Sequence, residues 1–301
     1  MKPIKILLFG KNGQVGWELQ RSLAPLGDLI ALDFDSQEFC GDFTNLGGLA
    51  KSIRDVAPDV IVNAAAHTAV DKAESEPELA CTINALAPGV LAQEAERLGA
   101  WLVHYSTDYV FDGGGDRPRL EVDMTDPLSV YGKTKLAGEE AIRSAACRHL
   151  ILRTSWVYAA RGGNFAKTML KLAQERDSLK VIDDQVGAPT GADLLADVTA
   201  HAIRTAMQRP EVAGLYHLTA GGQTSWHAYA SFVIDCARQA GVEIKVSPDA
   251  IQAVPTSAFP TVAKRPMNSR LDTTRFQNTF DLKLPHWQTG VSRMLNESLG
   301  K

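Results

Sequence analysis

The sequence has few cysteines, and neither its cysteines nor its histidines are spaced like metal ligands. Widely separated cysteines that form no CxxC pair are usually small buried hydrophobic residues, as in cytosolic proteins. The seven histidines also lack the spacing of a metal site. These absences argue against a disulfide scaffold and favour a cytoplasmic protein. The four cysteines are Cys40, Cys81, Cys147 and Cys236.

Long apolar runs and an excess of one charge are also missing. No stretch approaches the roughly 18 apolar residues of a membrane-spanning helix. The short run Ile4–Phe9 has the length of a strand, and no small-residue cleavage site follows it, so we expect no signal peptide. A net charge of −4 gives no overall attraction to nucleic acid or to an anionic membrane. A local basic pocket for a small phosphorylated molecule remains compatible with it.

Short apolar runs alternate with helix-length amphipathic segments along the first half of the chain. This pattern predicts an α/β protein with a parallel sheet and crossover helices. After Trp156 the rhythm loosens, and the proline-containing segment Val254–Arg270 predicts a loop that wraps over other parts of the protein. Strands are predicted at Ile4–Phe9, Leu29–Asp33, Val60–Asn63, Trp101–Ser106 and Leu150–Thr154. Helices are predicted at Gln14–Leu26, Leu46–Val56, Glu78–Leu98, Val130–Ala145, Phe165–Gln174, Asp193–Met207 and Trp226–Gln239.

A glycine-rich segment follows the first predicted strand directly. A GxxGxxG pattern at a strand-to-helix turn allows a tight turn and a close approach of backbone to a pyrophosphate, which the free amides of the helix start then hold. We therefore predict a Rossmann fold, that is, a doubly wound parallel sheet that binds a dinucleotide. Residues 1–157 would form this domain, and residues 158–301 a smaller, mixed lobe that mainly binds substrate, with some later elements returning to the sheet. The predicted cofactor contacts in the segment are Gly10, Asn12, Gly13, Gln14, Val15 and Gly16.

Two further segments face the predicted dinucleotide. Asp33 ends the second strand, where a carboxylate accepts hydrogen bonds from the adenine ribose and favours NADH over NADPH. Lys11 in the glycine-rich segment would offset the repulsion of a 2′-phosphate, so the sequence leaves NADH and NADPH open. Small residues after the third strand, Ala64, Ala65 and Ala66, would let backbone run beside the cofactor, although a plain strand end explains them as well.

A tyrosine and a lysine lie four residues apart at the start of a predicted helix. Tyr131 and Lys135 therefore share one helix face. An ammonium beside a phenol favours phenolate and brings the phenol pKa down towards neutral pH, which suits proton transfer. The lysine would also bind the nicotinamide ribose. Ser106 and Thr107 end the fourth strand, and one of these hydroxyls should hydrogen-bond the tyrosine and the substrate carbonyl.

The ordered set of motifs resembles the extended short-chain dehydrogenase/reductases that act on nucleotide sugars, and among them the dTDP-4-dehydrorhamnose reductases. The resemblance covers nearly the whole chain. The segments that carry it are LLFGKNGQVGWEL, VNAAAHTAVDKAE, STDYVFDG, YGKTKLAGE, RTSWVYA, GAPT and RPMNSRL.

This resemblance implies reduction of the C4 ketone of dTDP-4-dehydro-L-rhamnose to dTDP-L-rhamnose, a precursor of polysaccharides such as the lipopolysaccharide O-antigen. Hydride would come from NADH or NADPH and the proton from Tyr131. Of the two hydroxyls, the resemblance assigns catalysis to Thr107 and a structural role to Ser106. It also implies that Asp42, Phe43 and Thr68 contact the cofactor. The sugar nucleotide would contact Thr107, Asp108, Trp156 and Arg265.

The same resemblance implies a homodimer with a structural magnesium ion between acidic side chains. Glu18 and Asp193 stand at the matching positions. Relatives carry glutamate where this chain has Asp193, and the shorter side chain counts against the metal. The hydride chemistry itself needs no magnesium.

Three other functions are compatible with parts of the sequence. A nucleotide-sugar 4,6-dehydratase needs an acid and a base beside the threonine, but Asp108-Tyr109 follows Thr107, which argues against it. A nucleotide-sugar 4-epimerase is disfavoured by the segments TSWVYA and STDYVF. A non-catalytic regulatory subunit similar to the beta subunit of methionine adenosyltransferase would keep YGKTK and bind a partner enzyme. The intact Thr107, Tyr131 and Lys135 argue for an enzyme.

Overall fold

The computed structural model describes residues 3–300. Within that range, no helix is both long and apolar enough to cross a membrane. The strands are β1 (Ile4–Phe9), β2 (Gly27–Leu32), β3 (Val60–Asn63), β4 (Trp101–Thr107), β5 (Arg148–Thr154), β6 (Val157–Tyr158), β7 (Leu179–Ile182), β8 (Val186–Gly187), β9 (Thr190–Gly191), β10 (Gly214–His217), β11 (Thr224–Ser225) and β12 (Ile251–Val254).

Eleven α-helices connect or cover these strands within residues 3–300. A π-helical segment, Thr82–Leu86, joins the fourth helix to the fifth. The helices are α1 (Gln14–Leu23), α2 (Leu46–Val56), α3 (Val70–Ser75), α4 (Pro77–Cys81), α5 (Ala87–Leu98), α6 (Val130–Ser144), α7 (Phe165–Glu175), α8 (Ala192–Gln208), α9 (Trp226–Gln239), α10 (Thr274–Phe280) and α11 (Trp287–Leu299).

Six parallel strands form the central sheet in the order β10-β5-β4-β3-β1-β2. Side chains of β1 alternate between its two faces: Ile6 and Leu8 pack against α1 and α8, whereas Leu7 and Phe9 pack against α2 and α5. Burial on both faces explains why the inner strands are continuous apolar runs. The predicted doubly wound α/β fold is confirmed.

Several predicted boundaries shift for identifiable reasons. The predicted helix Gln14–Leu26 ends at Leu23 and continues as a 3₁₀ turn containing Pro25. The predicted helix Glu78–Leu98 is interrupted by the π-helical segment, which precedes Pro88; a proline has no amide hydrogen to give to the Asn84 carbonyl. The second strand runs from Gly27 to Leu32 rather than from Leu29 to Asp33.

The second half of the chain is more irregular, and one of its strands, β10, joins the central sheet beside β5. Three two-stranded pairs lie outside that sheet: β6 with β9, β7 with β12, and β8 with β11. The segment after β12 wraps over the first half, as predicted. The Asn268 amide donates to the Gly113 carbonyl at 2.9 Å, and Arg265 reaches Asp71.

Candidate active site

The chain passes from β1 to β2 on one side of β1 and then crosses to β3 on its other side. The glycine-rich segment follows β1 at this switch point. Gly10 has φ +83°, and a Cβ built on it would come within 2.7 Å of the Ala65 amide nitrogen. A Cβ on Gly16 would collide with the Gly10 carbonyl. Ligands of open α/β sheets bind at the carboxyl ends of strands at such a switch point. Glycine is therefore needed at both positions, because neighbouring backbone approaches too closely to leave room for a side chain.

Helix α1 begins beside this switch point. Gly13 is its N-cap and offers no side chain to the first amides of the helix, so these amides and the helix dipole are available to an anion. Gln14 lies half-buried and donates to the Gly163 carbonyl at 3.4 Å, and Val15 packs against the core. The arrangement fits a dinucleotide pyrophosphate.

The predicted adenine-side residues have different surroundings. Asp33 accepts hydrogen bonds from the amides of Asn12, at 2.9 Å, and Phe34, at 2.8 Å, so its carboxylate is held beside the glycine-rich segment. Asp42 accepts from the Thr44 amide and hydroxyl at 2.8 and 2.7 Å. Phe43 is buried in the core, edge-on to the Phe9 ring.

Small residues follow β3 as predicted. Ala64, Ala65 and Ala66 are half-buried, and Thr68 is exposed. The Ala65 amide donates to the Asn63 side-chain oxygen at 3.0 Å. The backbone here is thus held close to Gly10.

The structure brings Thr107 and Tyr131 together. Thr107 is the last residue of β4, and Tyr131 stands in the first turn of α6, whose N-cap Ser129 accepts from the Gly132 amide at 3.2 Å. Both side chains are buried, and the threonine hydroxyl lies close enough to the phenol to lower its pKa. The ring of Tyr109 packs edge-on against that of Tyr131, with centroids 5.5 Å apart.

The protonation of these groups differs from the sequence-based expectation. Burial raises the pKa of the Tyr131 phenol above its usual 10, and the neighbouring Thr107 hydroxyl opposes that rise. Lys135 does not lower it. The Lys135 ammonium instead contacts the Tyr105 carbonyl oxygen at 2.7 Å and His104 Nε2 at 3.2 Å. Burial lowers the pKa of Lys135 to about 8, while Glu139 acts in the opposite direction.

Two other residues of the STDY segment have distinct environments. Ser106 donates to Glu139, which also forms a buried ion pair with Arg153 at 2.6 Å. Asp108 lies beside Thr107, whose hydroxyl donates to it at 3.1 Å. Burial raises the pKa of Asp108 to about 6, against the lowering effect of the Ser269 and Thr107 hydroxyls.

A cavity of about 380 Å³ opens near this cluster. Trp156 lines it and has φ +48°, and its indole stacks on that of Trp226. Arg265 lines it too and forms an ion pair with Asp71 at 2.8 Å.

The two predicted metal ligands, Glu18 and Asp193, line the same cleft. Glu18 is 3.7 Å from Arg21, and Asp193 is 3.2 Å from Arg293. Within residues 3–300, no group of three or more His, Cys, Asp or Glu side chains is arranged to hold a metal ion. A single copy therefore does not fit magnesium.

Sequence reasoning missed several residues of this region. Trp226 lies 70 positions beyond Trp156, and Asp71 is remote in sequence from Arg265, so no local pattern signals either contact. His104 and Asn63 had a signal, because a polar residue within or ending a buried apolar strand needs a hydrogen-bond partner.

Comparison with known proteins agrees with this geometry. The profile of the family described as RmlD substrate binding domain matches residues 4–299. The dTDP-4-dehydrorhamnose reductase of Salmonella typhimurium (strain LT2) is 65% identical over 294 residues, with 98% of each chain covered. That of Escherichia coli (strain K12) is 62% identical, with the same coverage.

The chain belongs to the dTDP-4-dehydrorhamnose reductase family. A crystal structure of a family member from Clostridium acetobutylicum has a TM-score of 0.87 and 36% identity, covering 99% of this chain and 100% of that one. A structure from Bacillus anthracis in complex with NADP has a TM-score of 0.86 and 32% identity, with the same coverage. The sequence-based assignment to this family is confirmed.

Proposed function

We propose that the protein reduces the C4 ketone of dTDP-4-dehydro-L-rhamnose to dTDP-L-rhamnose with NADH or NADPH, the last step of dTDP-rhamnose synthesis. The observation that carries this proposal is that the buried side chains of Thr107 and Tyr131 lie together at the carboxyl end of β4. The strand β4 belongs to the same sheet as β1, which leads directly into the glycine-rich segment at Gly10. Residues 1–157 would bind mainly the dinucleotide, and residues 158–301 mainly the nucleotide sugar.

The cofactor would supply the hydride. The backbone around Gly10 and Gly13 would hold its pyrophosphate, and Asp33 its adenine ribose. Lys135 would bind the nicotinamide ribose. Asp42 and Phe43 support this region indirectly, because the Asp42 carboxylate caps a turn and Phe43 is a core residue.

Tyr131 would give its proton to the oxygen at C4. A raised pKa keeps the phenol protonated at neutral pH, and this is the form that a proton donor must have. Thr107 would hold the carbonyl oxygen in place and stabilise the negative charge that develops on it. Electrostatic interactions of these buried groups with the developing charge are strong, because water does not screen them.

The sugar nucleotide would occupy the cavity beside Trp156. Its indole contributes apolar surface to the wall of this cavity, and Arg265 offers a fork of donors to a diphosphate. Asp108 would contact the sugar. In binding a phosphate, Arg265 would exchange the Asp71 carboxylate for another anion.

A homodimer, a magnesium ion between two copies, and a cytoplasmic location stay predictions. A magnesium site would need ligands from a second chain in addition to Glu18 and Asp193. Comparing the sedimentation coefficient with and without EDTA tests the dimer and its dependence on metal.

The deciding experiment follows the absorbance of reduced nicotinamide when purified protein is mixed with dTDP-4-dehydrorhamnose and either NADH or NADPH. Oxidation with formation of dTDP-L-rhamnose supports the proposal, and the two rates give the cofactor preference. A dinucleotide that stays bound through turnover while the C4 configuration inverts would indicate an epimerase. Dinucleotide binding without turnover, together with a co-purifying enzyme, would indicate a regulatory subunit.

A further inference from the structure

Glu139 is a buried carboxylate on the same face of α6 as the tyrosine and lysine of the candidate active site. It follows Tyr131 and Lys135 at intervals of four residues, so the three side chains lie along one face of the helix. Glu139 is 1% exposed, and its two oxygens accept three hydrogen bonds from two strands of the central sheet. A buried carboxylate stays charged only where such partners replace water.

Both partner strands end beside the proposed reacting residues. Arg153 of β5 donates from Nε to one oxygen of Glu139 at 2.8 Å and from Nη2 to the other at 2.6 Å. Ser106 of β4 donates to the first of these oxygens at 2.5 Å. Ser106 and Arg153 are register partners in the sheet, and Thr107 is the next residue of β4. The carboxylate therefore ties α6 to the residue that precedes Thr107, whose hydroxyl lies beside Tyr131.

The forked contact restricts how α6 can move. A bidentate contact between a guanidinium and a carboxylate fixes both the distance and the orientation of the two groups. The guanidinium of Arg153 lies over the Phe111 ring, 5.0 Å from its centroid, and Arg153 is 3% exposed. A shift or rotation of α6 would break the fork and leave two buried charges unpaired, which is strongly unfavourable.

Glu139 also acts on the charge of Lys135, which lies one helical turn before it. Burial lowers the pKa of Lys135 to about 8, and the negative charge of Glu139 opposes that fall. The contacts of Lys135 on β4 are the Tyr105 carbonyl and His104, and burial keeps His104 neutral because its pKa is well below 6.5. Tyr131, one turn earlier on α6, keeps its proton because burial raises its pKa. Lys135 is therefore mostly an ammonium at neutral pH, and Glu139 favours that form.

We propose that Glu139 is a positioning residue for the reduction: its contacts with β4 and β5 fix α6 in place, and its charge holds Lys135 as an ammonium. The fixed helix keeps Tyr131 beside Thr107, and a charged Lys135 donates to a ribose hydroxyl of the cofactor. The effect on turnover rests on the proposed reductase function. The effect on the charge of Lys135 does not.

The first test is an NMR titration of Lys135 in cofactor-free protein labelled with ¹³C and ¹⁵N in lysine, with the signal assigned by its loss in Lys135→Met. Glu139→Gln removes the carboxylate charge and leaves that of Arg153, so the Lys135 titration should move down by about one pH unit or more. Arg153→Gln leaves the carboxylate without its cation, so the titration should move up. A purely structural ion pair would not give shifts of opposite sign.

Glu94→Gln is the matched control for this titration. Glu94 of α5 is 3% exposed and accepts a forked contact from Arg54, so its replacement also removes a buried carboxylate from an ion pair. Glu94 does not contribute to the pKa of Lys135. The Lys135 titration should therefore be the same in Glu94→Gln and in the wild type.

The second test measures turnover in Ser106→Ala, which removes one hydrogen bond of Glu139 but no charge and therefore serves where a charge variant does not fold. We expect kcat to fall about 10- to 100-fold, with KM for both substrates within about twofold of wild type. Thr199→Val is the matched control, because the Thr199 hydroxyl lies 2.6 Å from that of Tyr105, on the same strand β4 but against α8. Its kcat should stay near the wild-type value.

Two results would overturn the proposal. One is a Lys135 titration that Glu139→Gln and Arg153→Gln leave unmoved or move in the same direction. The other is an equal kcat for Ser106→Ala and Thr199→Val. A wild-type protein that does not reduce the sugar nucleotide would refute the proposed function instead, and the titration would still decide whether Glu139 governs the charge of Lys135.

Discussion

The indole of Trp156 lies flat on that of Trp226, with ring centroids 3.6 Å apart and planes 14° apart. Gly187 lies against the Trp156 ring, and a Cβ on Gly187 would come within 2.7 Å of it. A glycine is thus needed to leave room for the indole that faces the cavity.

Gly187→Ala should therefore displace the Trp156 indole and weaken sugar-nucleotide binding. We expect KM for the sugar nucleotide to rise about tenfold, equivalent to about 1.4 kcal/mol, with an unchanged Kd for the dinucleotide. Steady-state kinetics and fluorescence titration measure the two. Gly163→Ala is the matched control, since nothing lies within 4 Å of its added Cβ. Equal KM values for the two variants would contradict a role of the Trp156 indole in binding the sugar nucleotide.

Replacing Tyr131 by phenylalanine removes the proposed proton donor and little else. We expect kcat to fall by about 10²–10⁴-fold while dinucleotide binding stays within a small factor of wild type. Tyr216→Phe serves as control, because that hydroxyl donates to the Val212 carbonyl in the core at 2.7 Å and should affect stability only. Full activity of Tyr131→Phe would refute the assigned mechanism.

Arg265 is proposed to exchange Asp71 for a substrate phosphate. Arg265→Gln should raise KM for the sugar nucleotide about 10- to 100-fold, because a charge-assisted hydrogen bond contributes about 1.5–3 kcal/mol. Arg265→Lys keeps the positive charge but loses the forked donors of the guanidinium, so its KM should lie between those of the wild type and Arg265→Gln. A KM that Arg265→Gln leaves unchanged would mean that Arg265 is only a loop residue paired with Asp71.

The glycine-rich segment is tested by Gly10→Ala. Its positive φ and the Ala65 backbone leave no room for a Cβ, so the variant should lose both stability and dinucleotide affinity. We expect destabilisation of about 2 kcal/mol or more. Gly47→Ala, in the exposed first turn of α2, should be neutral or slightly stabilising. Urea unfolding and dinucleotide titration give both quantities; wild-type values for Gly10→Ala would argue against the tight turn.

His217 should make stability depend on pH. It is fully buried, and burial followed by the charge of Arg153 lowers its pKa from 6.5 to about 3. Between these values the unfolded chain binds one proton more than the folded one, so the free energy of unfolding falls as pH drops below 6.5. The loss from this group should reach about 2 kcal/mol between pH 8 and pH 5.

Urea unfolding of wild type and His217→Asn at both pH values isolates this contribution. The variant keeps a donor for the Arg119 carbonyl, which lies 3.0 Å from His217 Nδ1, but should lose most of that pH dependence. His201→Gln, at an exposed position, should retain it. The same pH dependence in wild type and His217→Asn would refute a neutral buried His217.

The sequence by itself determined the elements whose pattern is local. The apolar run of β1, the glycines after it and the helix that starts at Gln14 follow from burial periodicity and turn chemistry, and the structure has them at the predicted positions. The same holds for α2 and β3. The family followed from the order of these local motifs along nearly the whole chain.

Tertiary structure decided what depends on contacts between distant segments. Trp226 against Trp156, Asp71 against Arg265, and Asn63 and His104 behind Lys135 are set by strand order and by loops that cross the molecule. The protonation of Tyr131 is decided in the same way. The four-residue spacing predicted an ammonium beside the Tyr131 phenol. In the structure, Lys135 contacts other partners and burial raises the pKa of the phenol. A sequence pattern does not reveal this, because desolvation depends on everything packed around a group.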